Sequence, residues 1–334
     1  MSIRSHLCCI NSSLSDLDTV NGTAGASRSP NSTAPTERRA ALVSVGIPTF
    51  NRPEGLRRTL CCITQQSYKN LEIIVSDNNS TQPSVAQVAE EFSSRDKRVR
   101  IYHQPTNIGP TRNFRFVLEQ ATGEYFMWAA DDDSWEPDFV ERLVLLLEGD
   151  DSVGIAFCNF DARDRKGRRA GAYPDFLPLL RAYEGKPVAQ RLAAYISQEE
   201  FFGKANLIYG LFRRSVLESA GGIRAWGLGW WGADMLIACG VLARAKLAVV
   251  PELLYHVGTE PLSSDRAENS GALKPFASRP RRIAEAIGRH TGYMYGYCRI
   301  VAHARGLSLG ERVRLFVIIF RRLATFVLRD LTTA

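Results

Sequence analysis

Three consecutive carboxylates, Asp131, Asp132 and Asp133, follow the apolar run Tyr125–Ala130. Ser134, Glu136 and Pro137 come next and read as the first turn of a helix. The apolar run reads as a buried strand. The aspartates therefore stand at the carboxyl end of a strand, where open α/β sheets place ligands. Adjacent carboxylates repel one another unless something positive sits between them, and oxygen donors suit a divalent cation such as Mg²⁺ or Mn²⁺. The plainer reading of the same residues is a polar strand-to-helix loop with a helix-capping aspartate. Several chemistries are excluded by pattern. No G-x-G-x-x-G follows the first strand, and G-x-x-x-x-G-K-[S/T], H-E-x-x-H and G-x-S-x-G are all missing. A site built here would neutralise a phosphate ligand with metal and basic side chains, not with a glycine-rich cradle.

The elements that must position these residues are legible from periodicity. Leu42–Ile47 is a β-rich run ended by Pro48-Thr49-Phe50-Asn51-Arg52-Pro53, and a helix over 54–66 follows with Leu56, Leu60 and Ile63 on one face. Leu71–Ser76 is a second strand, ended by the polar turn Asp77-Asn78-Asn79-Ser80. A helix over 83–92, a strand over 99–103, a helix over 111–120 and a strand over 124–130 continue the alternation. Such β-α-β-α-β-α-β order argues for a parallel sheet covered by helices. It brings the Pro48–Arg52 turn, Asp77 and Asp131–Asp133 to one edge of that sheet. Beyond it the pattern predicts a helix over 139–147 and strands over 153–160, 206–212, 246–250 and 253–257, with a helix over 233–243.

Composition bounds the rest. The chain has 334 residues and a net charge of +7. From Lys274 onward there are 12 Lys and Arg against 3 Asp and Glu, so the basicity is confined to the C-terminal segment. There Arg312, Arg314, Arg321, Arg322 and Arg329 interleave with Leu315–Phe320 and Phe326–Leu328. Two readings are open: a helix on an anionic membrane surface, or a helix packed on the domain or on a partner with its arginines solvated. Nucleic-acid binding is disfavoured, because the positive charge lacks a recognisable aromatic-bearing module. The seven cysteines form no C-x-x-C or zinc spacing and fit reduced cytosolic thiols. Residues 1–40 are rich in Ser, Thr, Asn, Gly and Pro and read as a disordered leader, and 259–280 as a linker. No stretch approaches the ~20 apolar residues of a membrane span.

The run VSVGIPTFNRPEGLRRTLCCITQQSYKNLEIIVSDNNST and the run TNIGPTRNFRFVLEQATGEYFMWAADDD, in that order, resemble the family 2 glycosyltransferases of GT-A fold. The resemblance is strong over about residues 42–160 and weaker to about 258. It implies a GT-A-type α/β/α sandwich with a mostly parallel central sheet over 41–258, split into a nucleotide-sugar half (41–160) and an acceptor half (161–258). A basic helical tail over 281–334 follows. It also implies a nucleoside-diphosphate sugar as donor and a divalent cation, Mg²⁺ or Mn²⁺, as cofactor.

In similar enzymes the loop Pro48, Thr49, Phe50, Asn51, Arg52 lies against base and ribose. Asp77 would accept a hydrogen bond from the base, as a carboxylate can from a uracil or thymine N–H; a turn-forming aspartate is the alternative. Asp131 would meet ribose or metal, and Asp132, with a share in donor binding, and Asp133 the metal. Many relatives read D-x-D-D here, whereas this chain has Ala130 where the first Asp would fall, which leaves the division of labour within the triplet open. Arg112 aligns with a basic residue that holds the diphosphate, or is a solvated helix arginine. An inverting transfer also needs a general base outside the metal cluster. Asp234, in Gly229-Trp230-Trp231-Gly232-Ala233-Asp234, is the candidate, with a helix N-terminus to favour its charge. Trp230 and Trp231 offer faces for an acceptor sugar, or are core. His256 would reach metal or diphosphate, or is structural.

The expectation is thus an inverting transfer to a saccharide or lipid-linked acceptor in cell-surface polysaccharide or glycolipid synthesis. The enzyme would work in the cytoplasm or at the inner face of the cytoplasmic membrane. A non-catalytic nucleotide-sugar-binding protein and a sugar nucleotidyltransferase are the alternatives.

Overall fold

Proline opens each of the first three helices at a position where its missing N–H costs nothing. Pro53 starts α1 (Pro53–Thr64), Pro83 starts α2 (Pro83–Arg95) and Pro110 starts α3 (Pro110–Glu119). Each follows a strand: β1 (Val43–Thr49), β2 (Leu71–Asp77) and β3 (Val99–His103). β4 (Tyr125–Trp128) completes the alternation. The computed structural model describes residues 40–164, 167–170, 175–200, 203–221, 232–259 and 279–332. Trp230 and Trp231, and nearly all of the expected 259–280 linker, lie outside them.

Among the described residues the strands form one eight-stranded sheet in the order β3-β2-β1-β4-β7-β6-β8-β5. β5 is Ser134–Trp135, β6 Val153–Arg163, β7 Leu211–Arg213 and β8 Lys246–Gly258. β1 to β4 pair in parallel, as β-α-β units require. β7 is antiparallel to both β4 and β6, β8 runs parallel to β6, and β5 runs antiparallel to β8. The α/β class and the GT-A-like arrangement expected above are what the chain adopts.

Two elements differ from the periodicity reading. Residues 206–212 were expected as one strand. Lys204–Tyr209 is a 3₁₀ helix instead, and only Leu211–Arg213 pairs. Lys204, at the start of this segment, is 1% exposed and lies 3.5 Å from Glu200. The strands expected over 246–250 and 253–257 are one strand, β8. Its register against β6 jumps from Cys158↔Val250 to Asn159↔Leu253, leaving Pro251 and Glu252 unpaired. A proline without an N–H belongs at such a bulge.

The core packs around Trp128, whose ring meets Phe126 and Phe212 edge-on and stacks on Phe114. Its indole N–H donates to the Phe114 carbonyl (2.9 Å). α4 (Phe139–Gly149) covers β6 through Phe139, Leu143 and Leu147. Beyond β6 come α5 (Leu177–Arg181), α6 (Val188–Ser197), α7 (Arg214–Ser219) and α8 (Ala233–Leu242). α8 is apolar almost all round and is covered accordingly.

The C-terminal segment is part of this packing. α9 (Arg279–His303) lies on α8, and α10 (Leu309–Thr332) lies on α9 and α6. Tyr293, Tyr297, Val301, Leu315, Ile319 and Phe326 are buried. Gly232 takes φ +83° just before α8, and a Cβ there would meet Tyr293 at 2.9 Å. The turn that starts α8 therefore needs glycine for both conformation and space. Arg312 caps the carbonyls of Val301 (2.6 Å), Ala302 (2.6 Å) and Ala304 (2.8 Å) at the end of α9. Arg322 pairs with Glu200 (2.8 Å) and covers the Phe326 ring. Glu200 thus stands between two cations, and Lys204 lies over the rings of Tyr195 and Tyr297. Burial lowers the Lys204 pKa to about 8, against the pull of Glu200.

Tyr297 fills this interface, but its hydroxyl has no partner among the described residues. Tyr297→Ala is expected to cost about 3–5 kcal/mol. Tyr297→Phe should stay within about 1 kcal/mol of the parent, since it removes an unmade hydrogen bond. Urea midpoints at equal slope check both.

Candidate active site

Parallel pairing places Thr49 beside Asp77 and Asp77 beside His103, so the carboxyl ends of β1, β2 and β3 are level. β4 ends one strand away, and the Ala129 N–H still bonds the Gly46 carbonyl (2.9 Å) before the chain leaves the sheet. Asp131–Asp133 follow directly. The loops after β1 and β2 are tied together. Asn51, at φ +54°, accepts from the N–H of Thr81 (2.8 Å), and its own N–H donates to Ser80 Oγ (2.8 Å). Asp77 Oδ1 accepts from the Ser80 N–H (3.0 Å), and Oδ2 faces His103 Nδ1 (3.4 Å). Asn78 reaches across to Asn107 (2.9 Å) and to the N–H of Ile108 (2.9 Å), fixing the turn before α3.

The positive group among the carboxylates is a side chain. Arg52, the residue before α1, places one guanidinium nitrogen 2.9 Å from Asp131 Oδ1 and 2.8 Å from Asp132 Oδ2. Thr49 Oγ1 donates to the other oxygen of Asp131 (2.8 Å). Burial nevertheless pushes the Asp131 carboxyl up to about 6, against the pull of Arg52. Asp133 is held from the other side. Tyr255 donates its hydroxyl to Oδ2, and the Gly258 N–H donates to Oδ1 (2.9 Å). Burial and then the charge of Asp132 raise Asp133, and these two donors pull it back. Gly258 packs close against the triplet: a Cβ there would lie 2.2 Å from the Asp132 carbonyl oxygen.

Asp132 is different. Its side chain is 25% exposed, and Oδ1 has no partner among the described residues. Among those residues no group of three His, Cys, Asp or Glu side chains is placed to hold a metal ion. The donors suit an ion that binds through one carboxylate and completes its shell with water and substrate phosphate, as Mg²⁺ does.

His256 stands between two carboxylates. Its Nδ1 faces Asp161 Oδ1 (2.5 Å) and its Nε2 faces Glu136 Oε1 (2.9 Å). Both nitrogens are engaged within the protein and the ring is 2% exposed, contacts that suit the structural alternative. Ser134 pairs with His256 across β5 and β8, so this cluster pins the strand that follows the triplet. Arg112 stands exposed on the first turn of α3, at the same edge of the sheet, without an ion pair to the site among the described residues.

Asp234 opens α8 half-buried, with Oδ1 accepting from the Met235 N–H (2.7 Å). Burial outweighs the helix terminus and raises its pKa, while the Met235 N–H and the charge of Lys204 oppose the rise. Tyr209 packs its ring against Tyr255 (5.7 Å between centroids), whose hydroxyl holds Asp133. Burial, then the charges of Asp133, Asp132, Asp234 and Asp131, lift the Tyr209 hydroxyl well above the ordinary tyrosine range. The sequence reading missed Tyr209, Tyr255, Asp161, Glu136 and Gly258. No local signal marks them: the contacts of Tyr255, Gly258, Asp161 and Glu136 span more than 90 positions of chain, and Tyr209 lies 76 positions from Asp133.

Residues 44–208 match the family model described as Glycosyl transferase family 2. The chain belongs to that family. An uncharacterized glycosyltransferase of Haemophilus influenzae is 29% identical over 149 residues, 43% of this chain and 59% of that protein. The GalNAc(5)-diNAcBac-PP-undecaprenol beta-1,3-glucosyltransferase of Campylobacter jejuni is 38% identical over 92 residues, 27% of this chain and 29% of its own. The match spans less than two thirds of either relative. The crystal structure of S. aureus TarS 1–349 in complex with UDP-GlcNAc superposes with a TM-score of 0.60 at 14–15% identity. It covers 85% of this chain and 73% of that one, a likeness of fold.

Arg52→Ala would leave Asp131 and Asp132 facing each other unneutralised. For this partly exposed pair of bridges the loss is expected to be about 1–3 kcal/mol. Gly258→Ala should cost a similar ~1–3 kcal/mol by pushing the Asp132 carbonyl aside. Denaturant unfolding at neutral pH measures both.

Proposed function

We propose that this chain is an inverting glycosyltransferase that moves a sugar from a uridine-diphosphate sugar to a hydroxyl of a saccharide or lipid-linked acceptor. The observation that carries the reading is the presence of two separate acidic groups. One is the triplet, two of whose members Arg52 bridges, and the other is Asp234 on a different helix. A single displacement requires that separation, with donor binding on one side and proton removal on the other.

Asp77 presents a carboxylate at the end of β2, within a loop locked to Pro48–Arg52, where it can accept the N–H of a uracil. Thr49, Phe50 and Asn51 form the wall beside it, with Asp131 next to Thr49 toward the ribose. Arg52 and Arg112 supply positive charge at the diphosphate end. Asp132 would hold a divalent cation, with Asp133 behind it fixed by Tyr255 and Gly258. When bound, that cation offsets charge on the departing nucleoside diphosphate. Asp234 takes the proton of the acceptor hydroxyl as its oxygen attacks the anomeric carbon. The bond from that carbon to the diphosphate oxygen breaks, its electron pair leaves with the diphosphate, and configuration inverts. Trp230 and Trp231 precede Asp234 in sequence and are proposed to stack on the acceptor ring. The UDP-GlcNAc held by TarS supports a uridine nucleotide, and the polyprenol-linked acceptor named for the C. jejuni relative supports a lipid-linked one.

A thermal-shift screen of nucleotide sugars, with and without Mn²⁺ or Mg²⁺, is expected to show one donor whose stabilisation grows with metal. No response to any nucleotide sugar would overturn the reading. Release of nucleoside diphosphate, not pyrophosphate, separates transfer from nucleotidyl chemistry. Asp234→Asn should abolish transfer while leaving donor affinity within about two-fold, as removal of a group needed only for chemistry does.

The base works deprotonated, so the rate should rise with pH through the pKa of Asp234. Because burial raises that pKa, the acid limb of kcat/KM should lie above the ordinary aspartate range of about 3.9. A limb at or below that range would remove Asp234 from the role.

A further inference from the structure

A helix that packs on a domain needs one apolar face. α10 has two. Leu315, Ile319 and Phe326 are buried against the protein, and Arg322 on the same face is tied to Glu200. On the opposite face Leu309, Val313, Val317, Phe320 and Leu328 are exposed by 78, 52, 42, 61 and 63%. Their spacing keeps them on one stripe at 3.6 residues per turn, and it runs for about 30 Å at 1.5 Å per residue. Scattered single apolar residues on a surface need no explanation, whereas a continuous stripe does.

The charges beside the stripe have one sign. Arg314 and Arg321 are exposed, two turns apart, along one edge of it. Neither forms an ion pair with a described residue. Arg305 is exposed just before the helix. Glu311 is the one acid of α10 whose side chain is described, and its carboxylate is taken up by the Ser308 N–H and hydroxyl (both 2.8 Å) as a helix cap. The arginines used for structure, Arg312 and Arg322, point elsewhere. The tail as a whole carries 12 basic residues against 3 acidic ones. No described helix is long and apolar enough to cross a membrane.

We propose that this face of α10 lies on an anionic lipid surface. The apolar stripe enters the boundary between headgroups and acyl chains, and Arg314 and Arg321 meet lipid phosphates at its edge. Charge selects this occupant over a second copy of the chain. A twofold contact would set the stripe against itself, and it carries no acid to pair with the arginines. An anionic bilayer supplies both the apolar layer and the negative charge. The inference is independent of the catalytic reading, since lipid binding is measured without donor or acceptor.

Deleting the tail is the wrong test, because α9 and α10 contribute Tyr293, Tyr297 and Phe326 to the core. Full-length protein is instead sedimented with vesicles of phosphatidylcholine alone and of phosphatidylcholine with phosphatidylglycerol. Binding is expected only to the anionic vesicles and should weaken with added salt. The double variant Val317→Asp/Phe320→Asp should bind at least about ten-fold more weakly, from the loss of buried apolar area. Arg314→Ala and Arg321→Ala should each weaken binding by about five-fold. All should keep the parent's thermal midpoint, since the positions are exposed. Wild-type protein that stays in the supernatant with anionic vesicles would overturn the proposal. So would stable variants that bind as well as the parent, or a dimer in solution, indifferent to vesicles, that Phe320→Asp converts to monomer.

Discussion

Three adjacent carboxylates cannot be gathered at the end of a buried strand without compensation, and the surrounding structure is arranged around that constraint. Arg52 spans Asp131 and Asp132, and Tyr255 and the Gly258 amide take Asp133. The two solutions come from opposite ends of the domain. Arg52 belongs to the first strand-to-helix turn, and Tyr255 and Gly258 to the last strand of the sheet. Closing the sheet is thus coupled to setting the acidic cluster. The compensation is incomplete, and burial still holds Asp131 and Asp133 above the usual carboxylate range. A site left short of positive charge favours whatever cationic or hydrogen-bond-donating ligand arrives next.

The second organising feature is the buttressing of α8. Asp234 stands at the start of this helix, after a glycine whose φ of +83° and lack of a side chain let Tyr293 of α9 come close. Lys204, from the 3₁₀ segment, lies between Tyr195 and Tyr297 and lends its charge both to Glu200 and to Asp234. Arg322 of α10 completes the pairing with Glu200. The C-terminal helices are therefore one wall of the surroundings of Asp234. Their remaining face is free to meet something else.

The N-terminal half was legible because its signals are local. Prolines at helix starts, period-two and period-3.6 apolar patterns and the polar turns after each strand all lie within a dozen residues of what they specify. The resemblance carried by the runs around Arg52, Asp77 and the triplet led to the family that the comparisons show. The second half was harder. A short apolar run such as Leu207–Phe212 carries no period that separates strand from 3₁₀ helix, and the structure makes its first part a 3₁₀ helix that buries Lys204, Leu207 and Ile208. His256 looked available as a ligand because nothing in the sequence places Asp161 and Glu136 on its two nitrogens.

By itself the sequence determined the order of elements, the α/β class, the edge of the sheet where polar loops gather and the concentration of positive charge in the tail. These follow from periodicity, turn chemistry and composition, which act over short stretches of chain. Tertiary structure alone decided which charges meet. It set Arg52 between Asp131 and Asp132, engaged both nitrogens of His256 and gave Asp133 a tyrosine 122 positions away. It also chose which side of α10 faces the protein. Electrostatic pairing and burial depend on distances in space, and a linear pattern does not encode those until the sheet has closed.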